Sequence, residues 1–172
     1  MEELSRYCLG VDMPGAWAQA VWGVGPAERR GAKLRAGGGA ADGMYVILVD
    51  DDQDVLDLYR IGLEACGFTV DTARDGDGLF AGLDGKLPDV VVVDWQLANT
   101  HGDQVVRQIR MDYRLASVPV FMLSNFPSHS DGAIDRVFEL GVLGWFEKTK
   151  TPPVLLGHKL VEALAARLRG AV

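Results

Sequence analysis

The 172-residue sequence has few cysteines, no long apolar segment and no excess of positive charge. Its two cysteines, Cys8 and Cys66, cannot make a disulfide framework, and neither belongs to a CxxC pair of the kind that binds zinc. No run of 18 or more apolar residues is present, so no transmembrane helix is predicted. The acidic start, with Glu2 and Glu3, lacks the layout of a signal peptide. We therefore expect a cytoplasmic protein with no membrane contact.

The charge balance argues against one class of ligand. The 17 lysines and arginines face 24 aspartates and glutamates, which gives a formal net charge of -7. Non-specific binding of nucleic acids needs a basic surface, so direct DNA binding is not expected. Apolar residues make up 48% of the chain and charged residues 24%, which is the composition of a folded globular protein.

The first 43 residues differ in composition from the rest. They hold nine glycines and eight alanines, and their five acidic and five basic side chains cancel, so the net charge falls on residues 44–172. The glycine-rich stretch 37–43 indicates a flexible linker. We predict that residues 1–43 are a disordered Gly/Ala-rich extension, or a non-native segment upstream of a start at Met44. An apolar cluster around Trp17 and Trp22 leaves a docking segment as an alternative, and residues 44–172 are predicted to form one domain.

From residue 44 onwards, short apolar runs alternate with amphipathic segments. Runs rich in β-branched residues predict buried strands of a parallel sheet at residues 46–49, 68–70, 90–93, 118–123 and 143–146. Apolar residues at helical spacing predict helices at residues 53–65, 76–83, 103–111, 130–140 and 153–168. This alternation predicts a doubly wound α/β domain, (βα)5, with a parallel five-stranded sheet.

Polar side chains follow four of the predicted strands. In chain order they are Asp50, Asp51, Asp94, Ser124 and Lys148. In open α/β sheets ligands bind outside the carboxyl ends of the strands, so we expect these side chains to converge. Clustered carboxylates repel one another, and an all-oxygen set favours Mg²⁺ or Mn²⁺ over zinc. A lysine beside a metal ion and a carboxylate suits an incoming phosphoryl group.

Together these residues resemble the receiver domain of two-component response regulators, which has a flavodoxin-like fold. The resemblance covers residues 44–168 and rests on the acidic cluster after residues 47–49, the run 88–94, Ser124 and the segment 141–148. It implies that Asp94 accepts a phosphoryl group from a sensor histidine kinase or a histidine phosphotransfer protein. It also implies Mg²⁺ as the cofactor, with Asp50, Asp51, Asp94 and the backbone carbonyl of Gln96 as ligands.

The resemblance implies roles for the remaining site residues. Lys148 would pair with Asp94 and then with the phosphoryl oxygens, and Ser124 would move to hydrogen-bond the phosphoryl group. Trp145 occupies the position of the aromatic residue that changes rotamer in this switch. The domain would be regulatory rather than an enzyme, assisting only its own phosphorylation and dephosphorylation. Because only residues 170–172 follow the last helix, we expect a stand-alone receiver that binds a downstream protein target, as a monomer or a phosphorylation-dependent dimer.

Departures from the family pattern keep two alternatives open. The loop 97–102 lacks the usual proline and aspartate, and Thr149 replaces the proline that usually follows the lysine in a cis peptide. A non-proline cis bond costs about 2.5–4 kcal/mol, so we expect a trans bond with a shifted loop or a strained cis bond. One alternative is a phosphorylation-independent protein-interaction module. The other is a Mg²⁺-dependent phosphatase, which Gln96 disfavours because that class has a second aspartate there.

A further departure yields a testable prediction. Asn125 stands where the family usually has alanine or glycine, so its larger side chain is expected to narrow access to the phosphorylation site. We expect Asn125→Ala to speed phosphorylation of Asp94 or decay of the phosphoryl group. The two rates are measured for the wild type and the variant, and equal rates in both proteins rule the hypothesis out.

Overall fold

The computed structural model describes residues 43–83, 85–125 and 132–168. Residues 1–42 of the predicted extension 1–43, the start of the helix predicted at 130–140 and the tail 169–172 lie outside the described residues. The elements in chain order are β1 (Tyr45–Val49), α1 (Gln53–Ala65), β2 (Thr69–Ala73), α2 (Gly76–Ala81), β3 (Val90–Asp94), β4 (Gln96–Leu97), β5 (Thr100–His101), α3 (Gly102–Met111), β6 (Val120–Ser124), α4 (Ala133–Glu139), β7 (Gly144–Glu147) and α5 (Pro153–Leu168).

Five parallel strands form the central sheet, in the order β2-β1-β3-β6-β7. The predicted doubly wound α/β fold is therefore confirmed. The three central strands, β1, β3 and β6, are buried along their whole length, as their continuous apolar runs predict. The edge strand β2 continues to Ala73, beyond the predicted end at residue 70, because an edge strand can carry the exposed polar pair Asp71 and Thr72.

Two apolar cores lie on the two faces of the sheet. Alternate residues of a strand point to opposite faces, so Ile47 packs with α2, α3 and α4, whereas Leu48 packs with α1 and α5. Among the described residues no helix is long and apolar enough to cross a membrane.

The helices bury narrower stripes than the sequence pattern predicts. The helical spacing of apolar residues places Leu58 of α1, Met111 of α3 and Phe138 of α4 on the predicted apolar faces, but they are 57%, 84% and 44% exposed. That prediction is wrong for these three residues. Each helix covers only one face of the sheet, so apolar residues at the margin of the stripe remain in solvent.

Helices α1 and α5 approach each other most closely at a glycine. A Cβ atom placed on Gly62 would collide with the ring of Pro153, whose backbone also lies 3.2 Å away. Both partners of this contact are rigid, since proline has a fixed ring and begins α5. The absence of a side chain at position 62 therefore sets the distance between the two helices.

We predict that Gly62→Ala lowers the free energy of unfolding by about 1–3 kcal/mol, the usual range for overpacking in a core. In an open helical position the same change would stabilise by about 0.5–1 kcal/mol, so the sign of the effect is informative. Urea denaturation is the measurement. The exposed Glu64→Ala on the same helix serves as control and should change stability by less than about 0.5 kcal/mol. A Gly62→Ala protein as stable as the wild type contradicts the packing described here.

Candidate functional site

The predicted site residues meet at the carboxyl edge of the sheet. Asp50 follows β1 directly, Asp94 ends β3 and Ser124 ends β6. Lys148 follows β7, and its backbone N–H donates to the Ser124 carbonyl at 2.8 Å, which continues the pairing of β7 with β6. Because the strands are parallel, their carboxyl ends share one edge, and this is why residues distant in sequence come together.

Lys148 forms an ion pair with two buried carboxylates. Its Nζ lies 2.6 Å from Asp50 Oδ2 and 3.1 Å from Asp94 Oδ2. All three side chains are at most 8% exposed, so water screens these charges poorly. The Lys148–Thr149 peptide bond is trans, which is one of the two geometries expected in the absence of proline.

The loop after Lys148 is held by a tyrosine of α1. The Tyr59 hydroxyl donates to the Thr151 carbonyl at 2.8 Å and lies 3.4 Å from the Lys148 carbonyl. Tyr59 is buried, and burial, followed by the charge of Asp50, raises its pKa to about 12, so the hydroxyl keeps its proton. This contact fixes the lysine loop to α1, and the sequence pattern does not predict it.

Burial controls the electrostatics of the site. It raises the pKa of Asp94 to about 6, and the neighbouring charge of Asp50 adds to the effect while Lys148 opposes it. The pKa of Asp50 is also raised, mainly by burial. Burial acts to lower the pKa of Lys148, but its hydrogen bond to Asp50 and the two carboxylate charges outweigh this and raise it. The lysine is therefore held protonated between two carboxylates that resist ionisation.

The site fits a hard divalent cation. Asp50, Asp51 and Asp94 each offer a carboxylate oxygen, and these oxygens lie within 4.8 Å of one another. Within the part of the chain that the structure describes, Asp94 Oδ1 is buried and accepts no hydrogen bond. A buried acceptor without a donor is costly, and a cation would remove that cost. An all-oxygen donor set of this kind favours Mg²⁺ or Mn²⁺.

An open cleft of about 310 Å³ leads to these carboxylates. Gln96 and Asn125, both exposed, line it together with Lys148 and the aspartates, and the narrowing of access by Asn125 stays a prediction. Asp52 also lines the cleft, but its side chain is engaged in hydrogen bonds to α1. Its Oδ1 accepts from the N–H groups of Asp54 and Val55, at 2.9 and 3.3 Å, and thereby caps α1.

Stacked aromatic rings organise the loop after Asp94. Trp95 stacks on His101 with ring centroids 5.3 Å apart, across a two-stranded hairpin formed by β4 and β5. The hairpin leads into α3 at Gly102, whose N–H donates to the Trp95 carbonyl at 2.8 Å. A Cβ atom on Gly102 would collide with the Asp94 carbonyl and with Met122. The hairpin and the ring stack thus order a loop that lacks the proline usual in the family.

The predicted switch residues occupy neighbouring strands. Ser124 is fully buried at the end of β6, and Trp145 is half-buried in β7. The Trp145 ring lies 5.6 Å from that of Trp95, and the guanidinium of Arg136 in α4 lies 5.8 Å from the Trp95 ring centroid. The sequence analysis missed the role of Trp95, although its position directly after Asp94 was a usable signal.

The fold and the site together define a class of protein. It is a doubly wound α/β domain in which a lysine bridges two buried aspartates at the carboxyl edge of the sheet. Residues 46–158 match the family model of the response regulator receiver domain, and this match covers more than half of the chain. The chain therefore belongs to the response regulator receiver domain family, a regulatory family of two-component signal transduction, as the resemblance implied.

Two curated relatives and one solved structure illustrate the match. The chain is 34% identical over 127 residues to the phosphate regulon transcriptional regulatory protein PhoB of Rhizobium meliloti, covering 74% of this chain and 54% of that protein. It is 33% identical over 132 residues to the transcriptional regulatory protein TrcR of Mycobacterium tuberculosis, covering 76% and 46%. The chain thus spans about half the length of these relatives. The chemotaxis protein CheY4 of Vibrio cholerae superposes with a TM-score of 0.64 at 25% identity, covering 70% of this chain and 98% of that one.

The raised pKa of Asp94 generates a prediction about stability in the absence of metal. A carboxyl whose pKa is 3.8 when unfolded and about 6 when folded stabilises the protein below pH 3.8, and this contribution is lost as the pH rises through 6. We therefore expect Asp94→Asn to be more stable than the wild type at pH 8 in EDTA, by about 1–3 kcal/mol, because the amide stays neutral. The difference should vanish near pH 4.

Thermal unfolding from pH 4 to pH 8 is the measurement. Lys148 keeps Asp50 as a partner at 2.6 Å in the variant, so its charge stays paired. The exposed Glu64→Gln serves as control and should show no such pH dependence. An Asp94→Asn protein that is less stable than the wild type at pH 8 contradicts the proposed cost of the buried charge.

Proposed function

We propose that this domain is the phosphoacceptor receiver of a two-component or phosphorelay system. Asp94 takes a phosphoryl group from a sensor histidine kinase or a histidine phosphotransfer protein. The observation that carries the proposal is the joint contact of Lys148 with Asp50 and Asp94, at 2.6 and 3.1 Å, beside the buried Asp94 Oδ1 that accepts no hydrogen bond from the described residues. A plain structural ion pair would not leave a buried carboxylate oxygen without a donor.

The geometry suits in-line phosphoryl transfer. An ionised Asp94 oxygen attacks phosphorus and forms an O–P bond while the P–N bond to the donor histidine breaks and its electron pair returns to the imidazole. With a pKa of about 6, Asp94 is mostly ionised above pH 7 and available as the nucleophile. Lys148 already lies against Asp94, so its ammonium is in place to pair with the phosphoryl oxygens. Such transfer is catalysed by positioning and charge neutralisation rather than by covalent chemistry of other groups.

Mg²⁺ is the proposed cofactor. Asp50, Asp51, Asp94 and the backbone carbonyl of Gln96 would hold it, and the bound ion would supply positive charge for the phosphoryl oxygens. Ser124, at the end of β6, is proposed to move and hydrogen-bond the phosphoryl group. Trp145 is proposed to change its rotamer when Ser124 moves. The surface formed by α4, β7 and α5 would then change its shape and thereby switch the binding of protein partners.

The wider setting of the domain also belongs to this proposal. Action through a downstream protein target, without direct DNA binding, stays a prediction, since the curated relatives are named transcriptional regulatory proteins and the chain spans about half of their length. The stand-alone organisation, a cytoplasmic location and a monomer or phosphorylation-dependent dimer are likewise predictions from the sequence.

A phosphorylation-independent interaction module is the second candidate function. The observation that favours it is Asn125, which lines the cleft at a position where the family usually has alanine or glycine. A phosphatase that uses Asp94 as its nucleophile has less support, because the exposed residue two positions on is Gln96 and not an acid.

Incubation with acetyl phosphate and Mg²⁺, followed by intact mass measurement, distinguishes these functions. We expect one added phosphoryl group in the wild type and none in Asp94→Asn. Lys148→Met should slow its formation about 100-fold, the usual loss on removing one preorganised charge-stabilising group. Asp52→Asn is the matched control, because asparagine keeps the cap on α1 and the adduct should form at the rate of the wild type.

Each other outcome has a defined meaning. The absence of an adduct in the wild type contradicts the phosphoacceptor function and favours the interaction module. Sustained hydrolysis of a phosphomonoester, lost in Asp94→Asn, favours the phosphatase. An adduct that persists in Asp94→Asn shows that another residue is the acceptor.

A further inference from the structure

An arginine at the edge of the sheet holds the loop that carries the acidic cluster. Arg74 follows β2 directly, at the same carboxyl edge as Asp50 and Asp94. Its Nη2 donates to the backbone carbonyl of Asp51 at 2.8 Å, and its Nε lies 3.3 Å from the same oxygen. Two nitrogens of the guanidinium thus hydrogen-bond the same carbonyl oxygen, that of Asp51, the central residue of the acidic loop.

Neighbouring contacts fix the residues on either side of Asp51. The Asp50 N–H donates to the Ala73 carbonyl at 3.1 Å, and the Asp50 carboxylate is held by Lys148. The Asp52 N–H donates to Asp50 Oδ1 at 3.1 Å, while the Asp52 side chain caps α1. The Arg74 guanidinium adds a contact to Asp51 itself, so each of three successive residues of the loop is restrained by at least one hydrogen bond.

We infer that Arg74 is a positioning residue for the divalent-cation site, acting through the main chain of Asp51. By holding this carbonyl, it keeps the Asp51 carboxylate within 4.8 Å of the ligand oxygens of Asp50 and Asp94. The inference rests on the proposed function, because it requires that the acidic cluster binds a cation. Arg74 touches no reacting atom, so it is not a catalytic residue.

The charge of Arg74 and its hydrogen bonds to Asp51 have opposite expected effects on the affinity of the site for a cation. Two cations repel each other, so a guanidinium near the acidic cluster weakens cation binding if it acts by its charge alone. Its removal would then tighten binding. If Arg74 acts by holding Asp51, its removal weakens binding, because the carboxylate loses its fixed place among the ligands. Salt separates the two effects, since at about 1 M ionic strength the Debye length falls to about 3 Å and the charge effect is screened.

The experiment is a titration of the full chain with Mn²⁺, in which electron paramagnetic resonance measures the free ion. At about 1 M KCl we expect Arg74→Gln to bind Mn²⁺ roughly 3- to 10-fold more weakly than the wild type, at the lower end of the losses seen for groups that orient metal ligands. Arg74→Lys keeps the charge but not the planar fork, so it should weaken binding at both low and high salt. The midpoint of thermal unfolding should stay that of the wild type, which excludes general loss of structure as the cause.

Two controls separate this inference from the proposed function. Arg107→Gln removes an exposed arginine of α3 and should bind as the wild type does at high salt. Asp51→Asn should lose most of its affinity. If the wild type binds no Mn²⁺, or if Asp51→Asn binds as well as the wild type, the proposed cation site is wrong. If these two behave as expected and Arg74→Gln binds Mn²⁺ as tightly as the wild type at high salt, only the positioning role is wrong.

Discussion

The ion pair of one buried lysine with two buried aspartates is the constraint on which the rest of the site depends. Lys148 joins the ends of β1, β3 and β7 through its contacts with Asp50 and Asp94. Two buried carboxylates without a cation would repel each other and lack hydration, so removal of the lysine would be strongly destabilising. The tertiary arrangement of three strands and the charge balance of the cleft are therefore coupled through a single ammonium group.

This charge balance is incomplete, and the deficit has a functional meaning. One ammonium faces three carboxylates, and the buried Asp94 Oδ1 accepts no hydrogen bond from the described residues. The fold thus keeps the aspartates close together against their repulsion, as the raised pKa values of Asp50 and Asp94 reflect. Under the proposed function, a site held in this state would gain stability from a divalent cation and, once the cation is bound, would accept an anionic phosphoryl group.

The sequence predicted most of the fold because a parallel sheet has a simple pattern. Its central strands are buried on both faces, so they appear as continuous apolar runs such as residues 90–93, and the polar residue after each run lies at the functional edge. Reading only these ends brought Asp50, Asp94, Ser124 and Lys148 together. The roles of Asp94 and Lys148 came from the resemblance to a family, not from the pattern.

Other features depend on contacts between segments that are distant in the chain, and no local sequence pattern predicts these contacts. The exposure of Met111 and Phe138 depends on how far each helix covers the sheet, which periodicity does not measure. The Tyr59 hydroxyl restrains the lysine loop, yet in the sequence Tyr59 is one more apolar residue of α1. Arg74 had a signal that was not used, since it too follows a strand at the carboxyl edge.

The contacts of Trp95 connect the acidic site with the surface proposed to bind partners. Trp95 is bonded to Asp94 through the main chain and contacts His101, Trp145 and Arg136, which belong to β5, β7 and α4. Under the proposed function, phosphorylation of Asp94 therefore acts on a ring that already touches the two elements, β7 and α4, whose surface has to change. Under that proposal, Trp95 is therefore the residue that joins Asp94 directly to the output surface, because its ring contacts both Trp145 of β7 and Arg136 of α4.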